Sequence, residues 1–397
     1  MTNSIAASAP GLPRAVAMMA LLQALVALAI FSVAVTAPVT GVTLRQVGMF
    51  QSLMFAVGAV LSLLSGKLCA QFGPIRVAQG CAIAVAAGAL LLAHASGVGL
   101  SPAWLVAAAI LFGLGFGPET PASSAFLGPL TPPAKRPLVF SIRQTGNQIG
   151  AMFGSLVLPG LAVVAADAAF GLVAALGLAV VLLLETMRRH EPAAAADSVQ
   201  ARLLDGWRQV WGHRGLSLLI VPLVAFSAMQ ACLNGFLALH AVQAWQMQPV
   251  QAGLLVAAAQ GGGLIGRLSW GALASRYASA RRWLAWIGIG MSGCALLVSL
   301  AGPHVGASLL LALAFVFGLT ASGWNGVFLA EVARLSPGAE AAATGALLTL
   351  SYAGLVLGPL VFPLLVSPLA PGGGFLALAL IAAIGAFVLF VSRNAAD

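Results

Sequence analysis

Gly66-Lys-Leu-Cys-Ala-Gln-Phe-Gly73-Pro-Ile-Arg76 is echoed 205 residues later by Gly271-Ala-Leu-Ala-Ser-Arg276-Tyr-Ala-Ser-Ala-Arg281. At the same offset Phe112-Gly113-Leu114 answers Phe317-Gly318-Leu319, and Leu130-Thr131-Pro132 answers Leu335-Ser336-Pro337. One residue of slippage later, Gly154 and Pro159 match Gly358 and Pro363. Four anchors spread over half the chain mark an internal duplication, so the fold is to be read as two copies of one unit.

What each unit is made of follows from composition. Of 397 residues, 61% are hydrophobic and 7% charged, against roughly 25% charged in a soluble chain. Twelve apolar runs can be drawn, at 14–37, 44–68, 75–95, 103–128, 137–163, 166–187, 216–243, 251–274, 283–301, 305–332, 339–366 and 373–392. Each is about the 20 residues that a helix needs to cross a bilayer. The alternating ten-residue segments of a membrane barrel are absent, and in hydrocarbon only helices or closed barrels satisfy their own backbone. The expected class is therefore all-α and polytopic, with 12 transmembrane helices in two six-helix bundles. Residues 1–187 form the first bundle, 188–215 a linker and 216–397 the second. Val35-Thr36-Ala37 has the look of a cleavage site, but the apolar stretch before it exceeds a signal h-region, so the first span is expected to be retained.

The net charge of +9 has a topological reading. With the amino terminus inside, that face receives Arg14, Lys67, Arg76, Lys135, Arg136, Arg188, Arg189, Arg202, Arg208, Arg214, Arg276, Arg281, Arg282, Arg334 and Arg393, fifteen of the 18 Lys and Arg. Arg45 alone falls on the other face. Such a bias places both termini in the cytoplasm, as expected of a multi-pass protein of the inner membrane. The basic balance then requires no nucleic-acid partner. Within the linker, Ser198 to Trp211 carries Val199, Leu203, Leu204, Trp207 and Trp211 near helical spacing, the pattern of a short helix lying on the membrane surface. Cys69, Cys81, Cys232 and Cys294 lie in or beside apolar runs with no C-x-x-C spacing, as small apolar side chains do. No phosphate-binding loop, zinc spacing or nucleophile triad occurs, so no cofactor, metal or enzymatic activity is expected.

Two like bundles joined by a linker, with the loop Gly66 to Arg76 repeated at Gly271 to Arg281, resemble the major facilitator superfamily. Its loop motif has the form G-x-L-A-D-R-x-G-x-R-x. This chain keeps Gly66, Leu68 and Gly73 in the first copy, with Ala70 and Gln71 for the Asp and Arg, and Gly271, Leu273, Ala274 and Arg276 in the second, with Ser275 for the Asp; Arg76 and Arg281 stand one place after the motif's last Arg. The resemblance implies a monomeric transporter that rocks about a midplane site. It also implies that Gly66, Gly73, Arg76, Gly271 and Arg276 form gating loops latching the halves on the cytoplasmic side. The family's antiport motif belongs to the fifth span. Here Gly345, Gly354, Gly358 and Pro359 fit its first part in the eleventh span, and Phe362-Pro363 replace its closing glycines.

Ionisable residues inside spans are costly and so mark candidate pathway positions. Arg267 has no acid within a helical turn and is flanked by Gly261, Gly262, Gly263 and Gly266. Such a guanidinium suits bidentate binding of a carboxylate; the alternative is pairing with Glu331 or a backbone carbonyl. Arg267-Leu-Ser-Trp-Gly271 also resembles the eighth-span arginine of the monocarboxylate and oxalate–formate branches, which binds the substrate anion. The monocarboxylate branch has an Asp where this chain has Gly263, and the Lys of the oxalate branch's eleventh span is absent. Arg143 heads a stripe with Gln144, Asn147 and Gln148, and either faces the cavity or snorkels to the cytoplasm. Glu119, in Gly117-Pro118-Glu119-Thr120-Pro121, is either a proton-coupling acid or half of an ion pair with Arg143. Gln230, Asn234, Trp324 and Asn325, with Gln23 and Gln260, complete a set of midspan polar groups.

The expected function is secondary active transport of a small organic anion, monocarboxylate-like, by proton symport. Arg267, Asn147, Gln230, Asn234, Arg143, Trp324 and Asn325 would bind it and Glu119 would couple it to protons. Two other readings stand beside it: a proton-driven exporter of drugs or hydrophobic metabolites, and a non-transporting receptor or scaffold.

Overall fold

The computed structural model of the chain describes residues 11–132, 135–190, 199–277 and 279–392. Ser198 and Arg393 lie outside the described residues, as do the side chains of Val199, Arg202, Leu203, Leu204, Ser275 and Arg276. Among the described residues the only extended pairing is one bridge, Ser367 to Ala370.

The first six helices are α1 (Leu12–Thr40), α2 (Leu44–Phe72), α3 (Pro74–Val98), α4 (Pro102–Leu130), α5 (Arg136–Val164) and α6 (Ala166–Glu185). Short connections of defined chemistry join them. Thr43 caps α2 by accepting from the Gln46 amide at 3.3 Å, while the Gln46 side chain accepts from the Thr43 amide at 2.8 Å, a reciprocal capping box. Gly73, at φ 84°, turns the chain from α2 into α3, which Pro74 opens at its first position; only glycine adopts that backbone without strain. The fifth and sixth spans, inseparable by composition, are parted by one extended residue, Ala165.

After the linker helix α7 (Val199–Gly212) and the single turn α8 (Arg214–Ser217) come α9 (Ile220–Ala244), α10 (Pro249–Tyr277), α11 (Ala280–Leu300), α12 (Ala307–Ala321), α13 (Asn325–Leu335), α14 (Glu340–Val361) and α15 (Gly373–Val391). Among the described residues eleven spans are long and apolar enough to cross a bilayer, Arg214–Ala244 and Ala307–Leu335 each counting as one. The 29-residue α10 lies between two of them and completes twelve; Gln260, three consecutive glycines and Arg267 dilute its apolar character. The tenth apolar run, expected as one helix over 305–332, is instead broken at Ser322, Gly323 and Trp324.

The duplication reappears in the packing. In the first half α1 lies on α5, α2 on α4 and α3 on α6; in the second α9 lies on α14, α10 on α12 and α11 on α15, which are the same span pairs counted from each half's first helix. Small residues permit the close approaches. Gly146 and Gly150 of α5 meet the backbone of Ala20 and Ala24 in α1, and Gly354 and Gly358 of α14 meet Val224 and Ala228 in α9. Contacts between halves gather at the end away from the termini. There the Ser52 hydroxyl donates to the Val356 carbonyl at 2.7 Å, Gly48 abuts Pro359 and Pro363, and Gly253 of α10 abuts Ser155 and Pro159 of α5.

At the other end the linker is bound to the second half. Gly206 of α7 seats against Ala342 and Ala346 of α14, Val210 is fully buried, and Ser217 donates to the Val210 carbonyl at 3.1 Å. Trp211 remains 65% exposed, so one face of α7 docks on protein while the other is free for the membrane surface. Arg281, counted among the loop cations in the sequence, is buried: Nε lies 2.9 Å from Glu331, Nη1 donates to the Ser392 carbonyl at 3.0 Å and Nη2 to the Gly215 carbonyl at 3.2 Å. Glu331 is also held by Arg334 at 2.9 Å. The Arg281 guanidinium thereby ties α8, α11, α13 and the end of α15 together.

A side chain at Gly150 has to displace the Ala24 backbone, whereas a Cβ at Gly160 in the same helix meets nothing. Gly150→Val is expected to cost about 1–3 kcal/mol of stability and Gly160→Val less than about 0.5 kcal/mol, measured as unfolding of the purified protein in detergent.

Candidate functional site

The break between α12 and α13 frees backbone carbonyls in the middle of a span, where no water is at hand to bond them. Side chains of α10 reach across to do so. The Trp270 indole donates to the Leu319 carbonyl at 2.8 Å and Arg267 Nε to the Ser322 carbonyl at 3.2 Å. Gly262 and Gly266, one turn apart, bring α10 against Phe315, Leu319 and Gly323 closely enough for these bonds to form. Arg267 does not meet Glu331, which Arg281 and Arg334 occupy. Among the described residues no acid pairs with Arg267, and the two terminal nitrogens of its fork take no hydrogen bond. The residue is half-buried.

Ser322 is the hub of the arrangement, and the sequence reading did not single it out. Its carbonyl also accepts from Asn325 Nδ2 at 3.4 Å, and that amide lies 3.5 Å from Gln230 Oε1 on α9. One turn along α9, Asn234 accepts from Gln260 of α10 at 3.0 Å. Arg267, Asn325, Gln230, Asn234 and Gln260 are therefore brought together by three helices of the second half. The signal that could have located Ser322 is a Ser-Gly pair inside an apolar run, where both residues weaken a helix.

The first half presents α5 to this cluster. Asn147 donates to Gln148 Oε1 at 3.1 Å. Gln148 Nε2 stands 3.3 Å from the place a Cβ on Gly263 would take, and Ser322 Cβ 2.7 Å from it. The missing side chain at Gly263 is thus what lets Gln148 reach across the interface. Gln148 Nε2, Ser322 Oγ and Trp324 Nε1 are all buried without a hydrogen-bond partner. Trp324 sits in an aromatic cluster, 5.7 Å from Phe226 and 5.6 Å from Phe328. Phe236 stacks on Phe362 at 4.2 Å.

Toward the termini on the same helix, Arg143 pairs with Glu119 of α4 at 2.9 Å, both nearly inaccessible. Thr120 and Ser123 donate to the Glu119 carboxylate at 2.7 and 3.0 Å, so three groups share its charge, while Arg143 Nε has no partner. Tyr352 of α14, beside Ser62 and within the field of Glu119, meets Phe116 edge-on at 6.3 Å. It brings the second half against α4, and its place there was not legible from spacing alone. Of the residues expected in gating loops, Gly66, Gly73 and Arg76 lie about the α2–α3 turn and Gly271 near the end of α10, with a Cβ there meeting nothing. His240 is held at 3.3 Å from the Val298 carbonyl between Trp245 and Phe375.

The family model for the Major Facilitator Superfamily matches residues 17–330. Among solved structures the chain is similar to the nucleoside transporter NupG, with a TM-score of 0.78 and 17% identity over 96% of this chain and 98% of that one. It is also similar to a bacterial homologue of the human lysosomal transporter Spinster, in an inward-facing and unoccupied conformation, with a TM-score of 0.76 and 15% identity over 98% of each chain. The peptide transporter POT in complex with sulfate gives 0.75 and 18% identity over 98% of this chain and 97% of that one. No curated protein matches the sequence. At such identities the structural likeness speaks for the fold alone.

Removing one partner of a buried ion pair leaves the other charge unpaired, at a cost of about 3–5 kcal/mol. Arg143→Leu is accordingly expected to destabilise the protein by that order, and Arg143→Leu with Glu119→Gln to recover a large part of it, read from unfolding midpoints in a double-mutant cycle.

Proposed function

Starting from a chain that belongs to the Major Facilitator Superfamily, and so from a membrane transporter rather than an enzyme, we propose proton-coupled symport of a small monocarboxylate-like anion. The observation that carries this reading is the half-buried Arg267 fork, whose terminal nitrogens are without a partner among the described residues. A cation held inside a span with no counter-ion is costly. A carboxylate supplies the missing charge and matches the two parallel N–H groups of the fork. Nε, tied to the Ser322 carbonyl, orients the guanidinium and leaves its outer edge for the ligand. The half-helix α13 starts beside it with no side-chain cap, adding the positive end of a helix dipole.

Asn147, Gln148, Gln230, Asn234 and Asn325 orient the anion with amides, and Trp324 supplies an apolar wall. Glu119 carries the coupling charge. A proton reaching its carboxylate releases Arg143, and Tyr352 brings that change to the second half. Both termini lie on the cytoplasmic side of a bacterial-type inner membrane, an orientation that the basic loops support. The end closed by Ser52, Gly48 and Gly253 is then the outer one, and the arrangement faces inward. Closing the opposite end moves Gln148 and Asn147 relative to Arg267, since they belong to different halves. The chain acts as a monomer, and residues 188–215 join its two bundles.

In proteoliposomes with imposed pH and voltage gradients, wild type is expected to accumulate a short monocarboxylate. Arg267→Ala should lower initial uptake at least 100-fold and Arg267→Lys less, because a point charge lacks the fork. Glu119→Gln should keep substrate exchange and lose the dependence on the pH gradient. Stimulation by an organic cation, with Arg267→Ala unaffected, contradicts the reading and favours an exporter.

A further inference from the structure

Between α2, α3 and α4, at the end that carries the termini, lies a groove of about 610 Å³. It exists because α2 and α3 both pack on α4 but scarcely on each other, and because Gly80 contributes no side chain; a Cβ there meets nothing within 4 Å. The walls are Leu61, Leu68 and Phe72 of α2 and Leu114 of α4. Phe72 is 55% and Leu114 37% exposed, so the groove opens sideways from the helices. From Phe72 to Leu61 is eleven residues, about 16 Å of helix rise. That is close to half of a hydrocarbon core about 30 Å thick, the depth of one leaflet.

Its rim is cationic. Arg76 lines the groove with Gln71 and is exposed. No acid forms an ion pair with it among the described residues. Glu185, whose field it shares, is already hydrogen-bonded by Gln79 at 2.8 Å and Arg188 at 2.9 Å. The neighbouring Lys67 adds a second positive charge at the same end of α2.

We propose that this groove holds one anionic phospholipid, with its phosphate on Arg76 and an acyl chain along Leu61, Leu68 and Leu114. A cation at headgroup depth, an apolar channel one leaflet long and a lateral opening are what a lipid requires; a free phosphate would use only the first. The site is separate from the polar cluster around Arg267, and does not depend on which solute is carried.

Native mass spectrometry of the full chain in detergent tests it, with phosphatidylglycerol, phosphatidylcholine of the same acyl chains and glycerophosphate as probes. Wild type should retain one phosphatidylglycerol in at least five-fold preference to phosphatidylcholine, since one surface cation contributes about that factor. Arg76→Gln should erase the preference, Arg76→Lys keep most of it, and Gly80→Leu, whose Cβ has open space and whose side chain would occupy the groove, should prevent retention. Arg282→Gln, an exposed cation elsewhere, should change nothing. Unaltered gel filtration and unfolding midpoints show that the variants are folded. Equal retention of the two lipids by wild type overturns the proposal. So does a loss confined to one of Arg76→Gln and Gly80→Leu, or glycerophosphate binding as tightly as the lipid.

Discussion

Hydrocarbon offers no hydrogen bonds, and every polar group inside the twelve spans must find its partner within the protein. The hydroxyls comply by folding back on their own helices: Ser155 donates to the Ala151 carbonyl, Thr131 to Leu127 and Ser336 to Val332, each at 2.7 Å. The deep carboxylates comply by pairing, Glu119 with Arg143 and Glu331 with Arg281 and Arg334. Even the broken span complies, since Trp270 and Arg267 bond the carbonyls that the break exposes. Against so consistent a background the exceptions carry information. Beside the fork of Arg267 they include the buried, unpartnered Gln23 Oε1, Gln51 Oε1, Arg143 Nε, Trp283 Nε1, Gln148 Nε2, Ser322 Oγ and Trp324 Nε1; of these, the Arg267 fork, Gln148 and Ser322 converge where α5 of one half meets α10 and the α12–α13 break of the other.

The architecture was legible in the sequence for a physical reason. A membrane span is declared by composition over about twenty residues, and a duplicated bundle repeats its small-residue contacts as well as its loops. Gly146 and Gly150 are spaced for helix contact, and so are Gly354 and Gly358; each pair does receive the first helix of its own half. The break at Ser322 was not legible, because Ala307 to Leu335 is apolar enough to read as continuous. Only the partners that cap its carbonyls make the break affordable, and they come from another helix.

Charge was legible in number and misleading in address. Arg281 counts as a loop cation by position, yet it is buried against Glu331, Ser392 and Gly215. Arg143 and Arg267 looked alike as intramembrane cations. They differ in that α4 offers Arg143 a carboxylate and no helix does so for Arg267 among the described residues. That distinction is a property of tertiary contact, and it separates a paired arginine from one whose fork is unpartnered among the described residues. Tyr352 belongs to the same class of finding: one of only two tyrosines in the chain, it acquires interest solely because packing sets it against Phe116 of α4.

The central claim is that Arg267 is an unpaired cation awaiting a carboxylate. Ligand-induced stabilisation of the purified protein addresses it without transport: unfolding midpoints in the presence of short carboxylates, their neutral amides and the matching amines. The account predicts that carboxylates alone raise the midpoint, and that Arg267→Gln loses the rise while Arg143→Gln with Glu119→Gln retains it. A rise produced equally by amides or amines, or one that survives in Arg267→Gln, would contradict it.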